Sequence, residues 1–242
     1  MITLKDKILS KVTKPTRYTG GELNAVMKDP KTVDIRFGFC FPDVYEIAMS
    51  HLGLKIIYHT LNTRPDTYCE RVFAPWDDME QEMRKYDMPL FALETGDAVT
   101  HFDMLGFTLQ YELSYSNIVN MLDLAKIPVL AEERGEEYPI IYGGGPCAYN
   151  AEPVADIFDF FMLGEGEEQV HETMDVLKEW KKDGKKSKKQ LLERLVKIDG
   201  IYVPSFYDVE YTEKGTVKSI TPNNPNAPEK ILKRVVKDFD AT

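Results

Sequence analysis

The stretch VDIRFGFCFPDVYEIAMSHLGLKIIYHTL, residues 33–61, decides the fold class. Its first part, residues 33–41, is β-branched and aromatic and stops at Pro42, which predicts a strand and its end. Asp43 then stands where a helix N-cap is expected. Apolar residues follow at helical spacing and predict one helix up to residue 61: Val44, Ile47, Ala48, Leu52, Ile56 and Leu61.

Strand and helix signals keep alternating beyond this stretch. The strands are nearly continuous in apolar residues, which is typical of a parallel sheet covered by helices on both faces. The sequence therefore predicts an α/β fold, a doubly wound Rossmann-like parallel sheet over residues 33–183. Further strands are predicted at 69–74, 89–95, 102–110, 138–144 and 157–164, and further helices at 76–87, 114–126 and 165–182.

The two ends of the chain have a different organisation. Residues 1–32 are polar and rich in turn signals, and they predict a lead-in with one short helix. Residues 181–189 form a lysine cluster without interleaved aromatic residues, which favours a solvated turn between helices. A helix at 188–197 and a β-hairpin form a predicted C-terminal β appendage, 184–220. Residues 221–242 are rich in Pro and Asn and then charged, so they predict a linker to a further domain.

Composition excludes several classes of protein. The net charge of −10 repels nucleic-acid phosphates, so nucleic acid is not an expected partner. No apolar run approaches the about 20 residues that span a bilayer, and no signal-peptide stretch opens the chain. Cys40, Cys69 and Cys147 are dispersed and odd in number, which favours buried thiols in a reducing cytoplasm over disulfides. The sequence contains no close-spaced cysteines or histidines, so it predicts no metal site.

Unusual residues follow the predicted strands at the edge where doubly wound folds bind ligands. They are expected to form a cofactor-binding site: Asp43, Tyr45 and Glu46 after the first strand, Thr108 and Gln110 after 102–110, Gly143, Gly144, Gly145 and Pro146 after 138–144, and Gly164 and Glu165 after 157–164. Glycines admit a ligand close to the backbone. The alternatives are a tight turn at the three glycines and ordinary helix-start chemistry at Glu165. No dinucleotide or P-loop fingerprint occurs.

Several of these motifs together resemble a known protein family. The motifs HLGL (51–54), GGP (144–146) and GEGE (164–167) resemble the cobalamin-binding-type N-terminal domains of radical SAM proteins. Longer segments are similar to one family within that group and cover nearly the whole chain: KPTRYTGGELN (14–24), FCFPDVYEIAMSHLGLKIIYHTLN (39–62) and PEKILKRVVKDFD (228–240).

The resemblance implies that the full-length protein continues into a radical SAM barrel, which would be the main partner of this domain. A C-x-x-x-C-x-x-C motif in that barrel would hold a [4Fe–4S] cluster, and the cluster would bind and cleave S-adenosylmethionine. That motif does not occur in this chain. We therefore expect no catalytic residue here and an accessory role for the domain.

The resemblance also raises cobalamin as a candidate cofactor. Relatives that bind cobalamin through a histidine carry D-x-H-x-x-G after the first strand, whereas this chain has Asp43, Tyr45 and Ala48 in those places. A phenol is a poor cobalt ligand beside imidazole. Any cobalamin is therefore expected to bind without a histidine lower ligand. Two alternatives stay open: a cofactor-free docking module that presents a protein or RNA substrate to the barrel, and a free-standing small-molecule binding module.

Overall fold

A six-stranded sheet forms the centre of the computed structural model, which describes residues 4–184 and 187–237. The strand order is β2-β1-β3-β4-β5-β6. The first five strands are parallel and β6 is antiparallel. The order reverses between β1 and β3, as in flavodoxin-like doubly wound sheets, so the predicted fold class is confirmed. The strands are β1 Ile35–Phe41, β2 Thr67–Phe73, β3 Met104–Thr108, β4 Ile140–Gly144, β5 Phe160–Met162 and β6 Ile201–Tyr202.

Helices cover the sheet in two groups. The helices are α1 Leu4–Leu9, α2 Tyr45–Ser50, α3 Leu52–Asn62, α4 Asp77–Lys85, α5 Tyr115–Leu124, α6 Gly166–Lys182 and α7 Lys188–Leu195. Helix α3 packs beside α6, whereas α4 packs beside α1 and α5. The strands between them are almost wholly buried, which explains why they read as continuous apolar runs.

The single helix predicted over residues 43–61 is wrong, because the chain forms α2 and α3 with a break at His51. His51 has extended backbone angles, and its Nδ1 accepts the backbone N–H of Leu54 at 3.2 Å. It therefore caps α3 as Asp or Ser would. Asp43 is not a helix N-cap: its carboxylate accepts the adjacent Val44 N–H, and Val44 precedes α2. The apolar spacing continues across the break and hides it.

The strand predicted at residues 89–95 is also wrong. This segment is buried, but its ladder is limited to one isolated bridge between Phe91 and Ala98. Its backbone groups bond irregularly instead: Leu93 N–H donates to the Arg71 carbonyl at 2.8 Å, and Leu90 N–H to that of Leu124 at 3.1 Å. The segment thus runs along the edge strand β2 as a buried loop.

The C-terminal appendage divides between two sheets. Residues 201–202 join the main sheet as β6 beside β5. Strands β7 Tyr207–Tyr211 and β8 Val217–Pro222 form a separate antiparallel hairpin, as the sequence predicted. The lysine cluster that precedes α7 is described only in part, because Lys185 and Lys186 lie outside the described residues.

The N-terminal lead-in is fastened to the sheet domain by its side chains. The Lys28 ammonium donates to the carbonyls of Asn62, Arg64 and Thr67 at 2.9, 2.7 and 2.6 Å. These carbonyls lie at and just beyond the C-terminus of α3, where a positive charge is stabilised by the helix dipole. Glu22 adds an ion pair with Arg71 at 2.7 Å.

We predict that Lys28→Met lowers the free energy of unfolding by about 1–3 kcal/mol, because three carbonyls lose a charged donor. Chemical denaturation followed by circular dichroism measures this. The matched control is Lys31→Met on the exposed surface, which is expected to stay within about 0.5 kcal/mol of the parent chain. Equal effects of the two changes would contradict the role given to Lys28.

The C-terminal segment, residues 228–237, also contacts the domain. Arg234 forms a parallel bridge with Gly164, with its N–H donating to the Leu163 carbonyl at 2.8 Å. Its guanidinium donates to Glu168 at 2.8 Å and Glu172 at 2.6 Å on α6. The described part of the predicted linker is thus held against the start of α6, and residues 238–242 lie outside the described range.

We predict that Gly164→Ala releases this C-terminal segment. Gly164 has a φ of +112°, and a Cβ there would lie 2.1 Å from the Arg234 carbonyl oxygen. The control is Gly215→Ala, because Gly215 also has a positive φ, +76°, but no atom within 4 Å of the added carbon. Hydrogen exchange of peptides covering residues 228–237 should accelerate in the first variant alone. Equal protection in both variants would count against the bridge.

Candidate functional site

A cleft of about 260 Å³ opens at the carboxyl ends of the parallel strands. It lies beside the point where the strand order reverses between β1 and β3, where doubly wound folds bind their ligands. Helix α3 and the N-terminus of α6 form its sides. The lining residues are Phe39, His51, Gly53, Ile56, Ile57, Phe107, Thr108, Gln110, Tyr142, Gly144, Gly145, Met162, Gly164, Glu165, Gly166, Glu167 and Val170.

A chain of three polar side chains lies within the cleft. His51 Nδ1 accepts the Leu54 N–H, so Nε2 carries the hydrogen and donates to Gln110 Oε1 at 3.1 Å. The Gln110 amide nitrogen in turn donates to the hydroxyl oxygen of Thr108. Thr108 as a residue is only 7% exposed. The Gln110 amide is therefore held in one orientation, with one N–H and one oxygen lone pair left over.

Apolar side chains and glycines make up most of the remaining lining. Phe39, Phe107 and Tyr142 are all buried and come from β1, β3 and β4. A Cβ at Gly144 would meet other atoms only at ordinary contact distances of 3.7 Å or more, so a side chain could start here without a clash. Gly145 has a φ of +104° and turns the backbone at the end of β4.

The mouth of the cleft is acidic. Glu165 and Glu167 lie at the N-terminus of α6 and both line the cleft, and no lysine or arginine is among its lining residues in the described chain. Arg234 is nearby, but its guanidinium is engaged by Glu168 and Glu172. The positive end of the helix dipole is thus already compensated by carboxylates.

Six of the residues predicted as a cofactor site come together in the cleft, and five do not line it. The six are Thr108, Gln110, Gly144, Gly145, Gly164 and Glu165. Gly143 alternates with Gly144 along β4 and faces the other side, where a Cβ would lie 2.8 Å from the Leu109 side chain. Pro146 opens a short 3-10 helix, Pro146–Asn150, and is exposed.

Of the predicted residues after β1, Tyr45 and Glu46 contact the N-terminal lead-in, and Asp43 bonds locally. The Tyr45 hydroxyl donates to Glu22 at 2.7 Å, and burial together with this bond raises the pKa of Tyr45 to about 12. Glu46 is exposed and pairs with Arg17 at 3.0 Å. The Asp43 carboxylate accepts from Val44 N–H at 2.7 Å.

These positions do not fit a histidine-ligated cobalamin. Tyr45, which stands in the ligand position of the motif, is bonded to Glu22 rather than facing the cleft. His51 does line the cleft, but both of its ring nitrogens are engaged, with Leu54 and Gln110. Ala48 is fully buried. Cobalamin at this edge would therefore bind without a cobalt ligand from these positions.

His51 and Glu167 are the functional candidates that the sequence interpretation missed. In the sequence, His51 occurs only within the HLGL motif and is not among the residues predicted to bind a cofactor. In the structure Gly53 lies against it, because a Cβ at Gly53 would lie 2.9 Å from the imidazole Cε1. Glu167 reads as ordinary helix-start chemistry, and only the tertiary structure places it at the cleft.

Comparisons with known proteins give the family. Residues 53–204, more than half of the chain, match the family described as radical SAM proteins, N-terminal. The chain is 30% identical over 141 residues to an uncharacterized protein of Methanocaldococcus jannaschii, MJ0966; the match covers 57% of this chain and 25% of that protein. No solved structure matches significantly. Across residues 4–184 and 187–237, no helix is long and apolar enough to cross a membrane.

The family match extends from α3 through β6 and includes both helices that form the sides of the cleft. It agrees with the motifs that the sequence interpretation singled out at Gly53, Gly144 and Gly164. The chain therefore belongs to the family of N-terminal domains of radical SAM proteins.

Proposed function

We propose that this chain is an accessory domain of a radical SAM enzyme and that it binds a small organic ligand in the cleft. The observation that carries the proposal is the oriented amide of Gln110, held between His51 and Thr108 inside a cleft with largely apolar walls and an acidic mouth. Ligand sites of this kind combine apolar walls with a few fixed polar groups.

We assign the radical chemistry to a domain outside this chain. The chain matches only a quarter of the length of its curated relative, which leaves room there for a barrel with a [4Fe–4S] cluster and S-adenosylmethionine. Burial raises the pKa of the thiols of Cys40 and Cys69, and an iron site needs thiolates. These two cysteines therefore fit the role of buried core residues and not that of ligands to an iron–sulfur cluster.

Cobalamin is the cofactor that the family resemblance suggests for the cleft. In this proposal it binds without a cobalt ligand from Tyr45 or His51, because both side chains are hydrogen-bonded elsewhere. The cavity of about 260 Å³ is small beside ligand sites of roughly 300–1,000 Å³. It would hold only a part of the cofactor, with the remainder over the sheet edge.

A cofactor-free docking module is the second candidate function. Large apolar side chains are exposed at the same sheet edge: Leu52 is 68% exposed, Leu113 84% and Tyr149 59%. They follow β1, β3 and β4, so they surround the end of the sheet at which the cleft opens. Exposed apolar patches of this kind favour contact with another protein domain.

We predict that hydroxocobalamin stays with the purified chain through desalting and that Gly144→Val removes it. The Cβ of valine meets only ordinary contact distances at position 144, and its methyl groups would add bulk to the lining of the cleft. Visible absorption of the eluate measures retention, and thermal unfolding checks that the variant is folded. Lys218→Val on the outer hairpin strand β8 is the control and should retain the cofactor.

The spectrum also tests how cobalt is held. With no protein ligand, the bound cofactor should keep the absorption of free hydroxocobalamin at the same pH. A colourless eluate from the parent chain would remove cobalamin from the proposal. A spectrum with a new nitrogen ligand, lost in His51→Gln, would contradict the proposed absence of a histidine ligand.

A further inference from the structure

The charge of the cleft restricts which ligands it can hold. Doubly wound folds commonly place phosphates at a helix N-terminus near this edge, using free N–H groups and the helix dipole. Here Glu165 and Glu167 occupy that position, and none of the lining residues of the described chain is a lysine or arginine. A terminal phosphate, as in a nucleoside monophosphate, would face two carboxylates with no cation, so the cleft disfavours ligands that carry one.

The amide of Gln110 restricts the ligand in a second way. Its orientation is fixed by His51 and Thr108, which leaves one N–H donor and one oxygen lone pair of the amide unused. This pair matches a ring edge that carries an amino group beside a ring nitrogen, as in the bidentate contact of Gln with adenine. Phe39 and Phe107 line the cleft and are 6% and 1% exposed, so they give it an apolar wall.

The start of α6 suits a sugar diol. The first N–H groups of a helix lack partners within the helix. The Glu167 carboxylate has no hydrogen-bond or ion-pair partner among the described residues. Neighbouring hydroxyls can accept from the N–H groups and donate to the carboxylate at once, whereas a phosphate can only accept. Acidic residues contact ribose hydroxyls in related folds in this manner.

We infer that the cleft binds an unphosphorylated nucleoside of the adenosine type, with the base edge at Gln110 and the ribose hydroxyls at Glu167. This rests on the proposed function, namely that the cleft receives a small organic ligand. It goes further by naming the chemical class and by excluding nucleotides. A volume of about 260 Å³ agrees with one nucleoside and is too small for a dinucleotide.

Nuclear magnetic resonance titrations of the isotopically labelled chain test the inference. The probes are adenosine, AMP and 2′,3′-dideoxyadenosine. Adenosine should shift the backbone signals of Gly144, Gly145 and Gly166 saturably. AMP should bind at least tenfold more weakly, and added salt should narrow that difference by screening the carboxylates. Dideoxyadenosine should also bind at least tenfold more weakly than adenosine, because it lacks the diol.

Two variants and one control locate the base edge. Gln110→Leu removes both ends of the contact, and Gln110→Glu keeps the shape but cannot donate to the ring nitrogen; each should weaken adenosine at least tenfold. Gln190→Leu, at an exposed site on α7, should bind adenosine unchanged. Unaltered binding by both Gln110 variants would contradict the assignment.

The outcomes separate this inference from the proposed function. AMP binding as tightly as adenosine would overturn the exclusion of phosphate. No adenosine-induced shift at the cleft, with hydroxocobalamin still retained, would overturn the nucleoside class and leave the proposed function standing. If the chain binds neither adenosine nor hydroxocobalamin, both the inference and the proposed function are overturned.

Discussion

The bond from the Leu54 N–H to the imidazole of His51 is the interaction on which the site depends. It caps the N-terminus of α3 at the residue where α2 ends through the bond from the His51 backbone N–H to the Ala48 carbonyl, within a continuous apolar pattern. The same bond fixes the tautomer of His51, and His51 then fixes Gln110 through its other nitrogen. One side chain thus determines where a wall of the cleft begins and which polar atoms the cleft presents. A Cβ at Gly53 would lie 2.9 Å from the imidazole Cε1, so a larger residue there would press against the ring.

The sheet could be predicted from sequence because parallel strands buried on both faces leave long apolar runs. The same rule misled at residues 89–95, where the run is buried but its backbone bonds go to a helix end and to an edge strand. The sequence places the glycines of the cleft at a strand end, but it does not tell which of them face the cleft. Gly143 and Gly144 alternate across β4, and only the position of Leu109 and Met162 on the two sides separates them. Tyr45 and Glu46 were expected to bind a cofactor. They contact Glu22 and Arg17 instead, which lie 23 or more positions earlier in the chain, and local sequence patterns do not encode contacts of that range.

The lead-in and the C-terminal segment contact the domain with similar chemistry, because each supplies a positive charge. Lys28 brings a positive charge to the end of α3, and the first turns of α6 receive Arg234 through carboxylates. Both contacts place a cation against groups of negative character near a helix, although at opposite ends of the two helices that form the sides of the cleft. The family match begins inside α3, so it does not include the lead-in, yet Glu22 and Tyr45 join that lead-in to the sheet domain. The folded unit is therefore larger than the part that defines the family.

Helix α6 has two neighbours at its first turns, the cleft on one side and Arg234 on the other. Glu165 itself belongs to both, since it lines the cleft and accepts the N–H of Val236. A ligand that recruits the Glu165 carboxylate would compete with the N–H of Val236 for the same oxygen atoms. The start of α6 is thus shared between the cleft and the segment that follows β8.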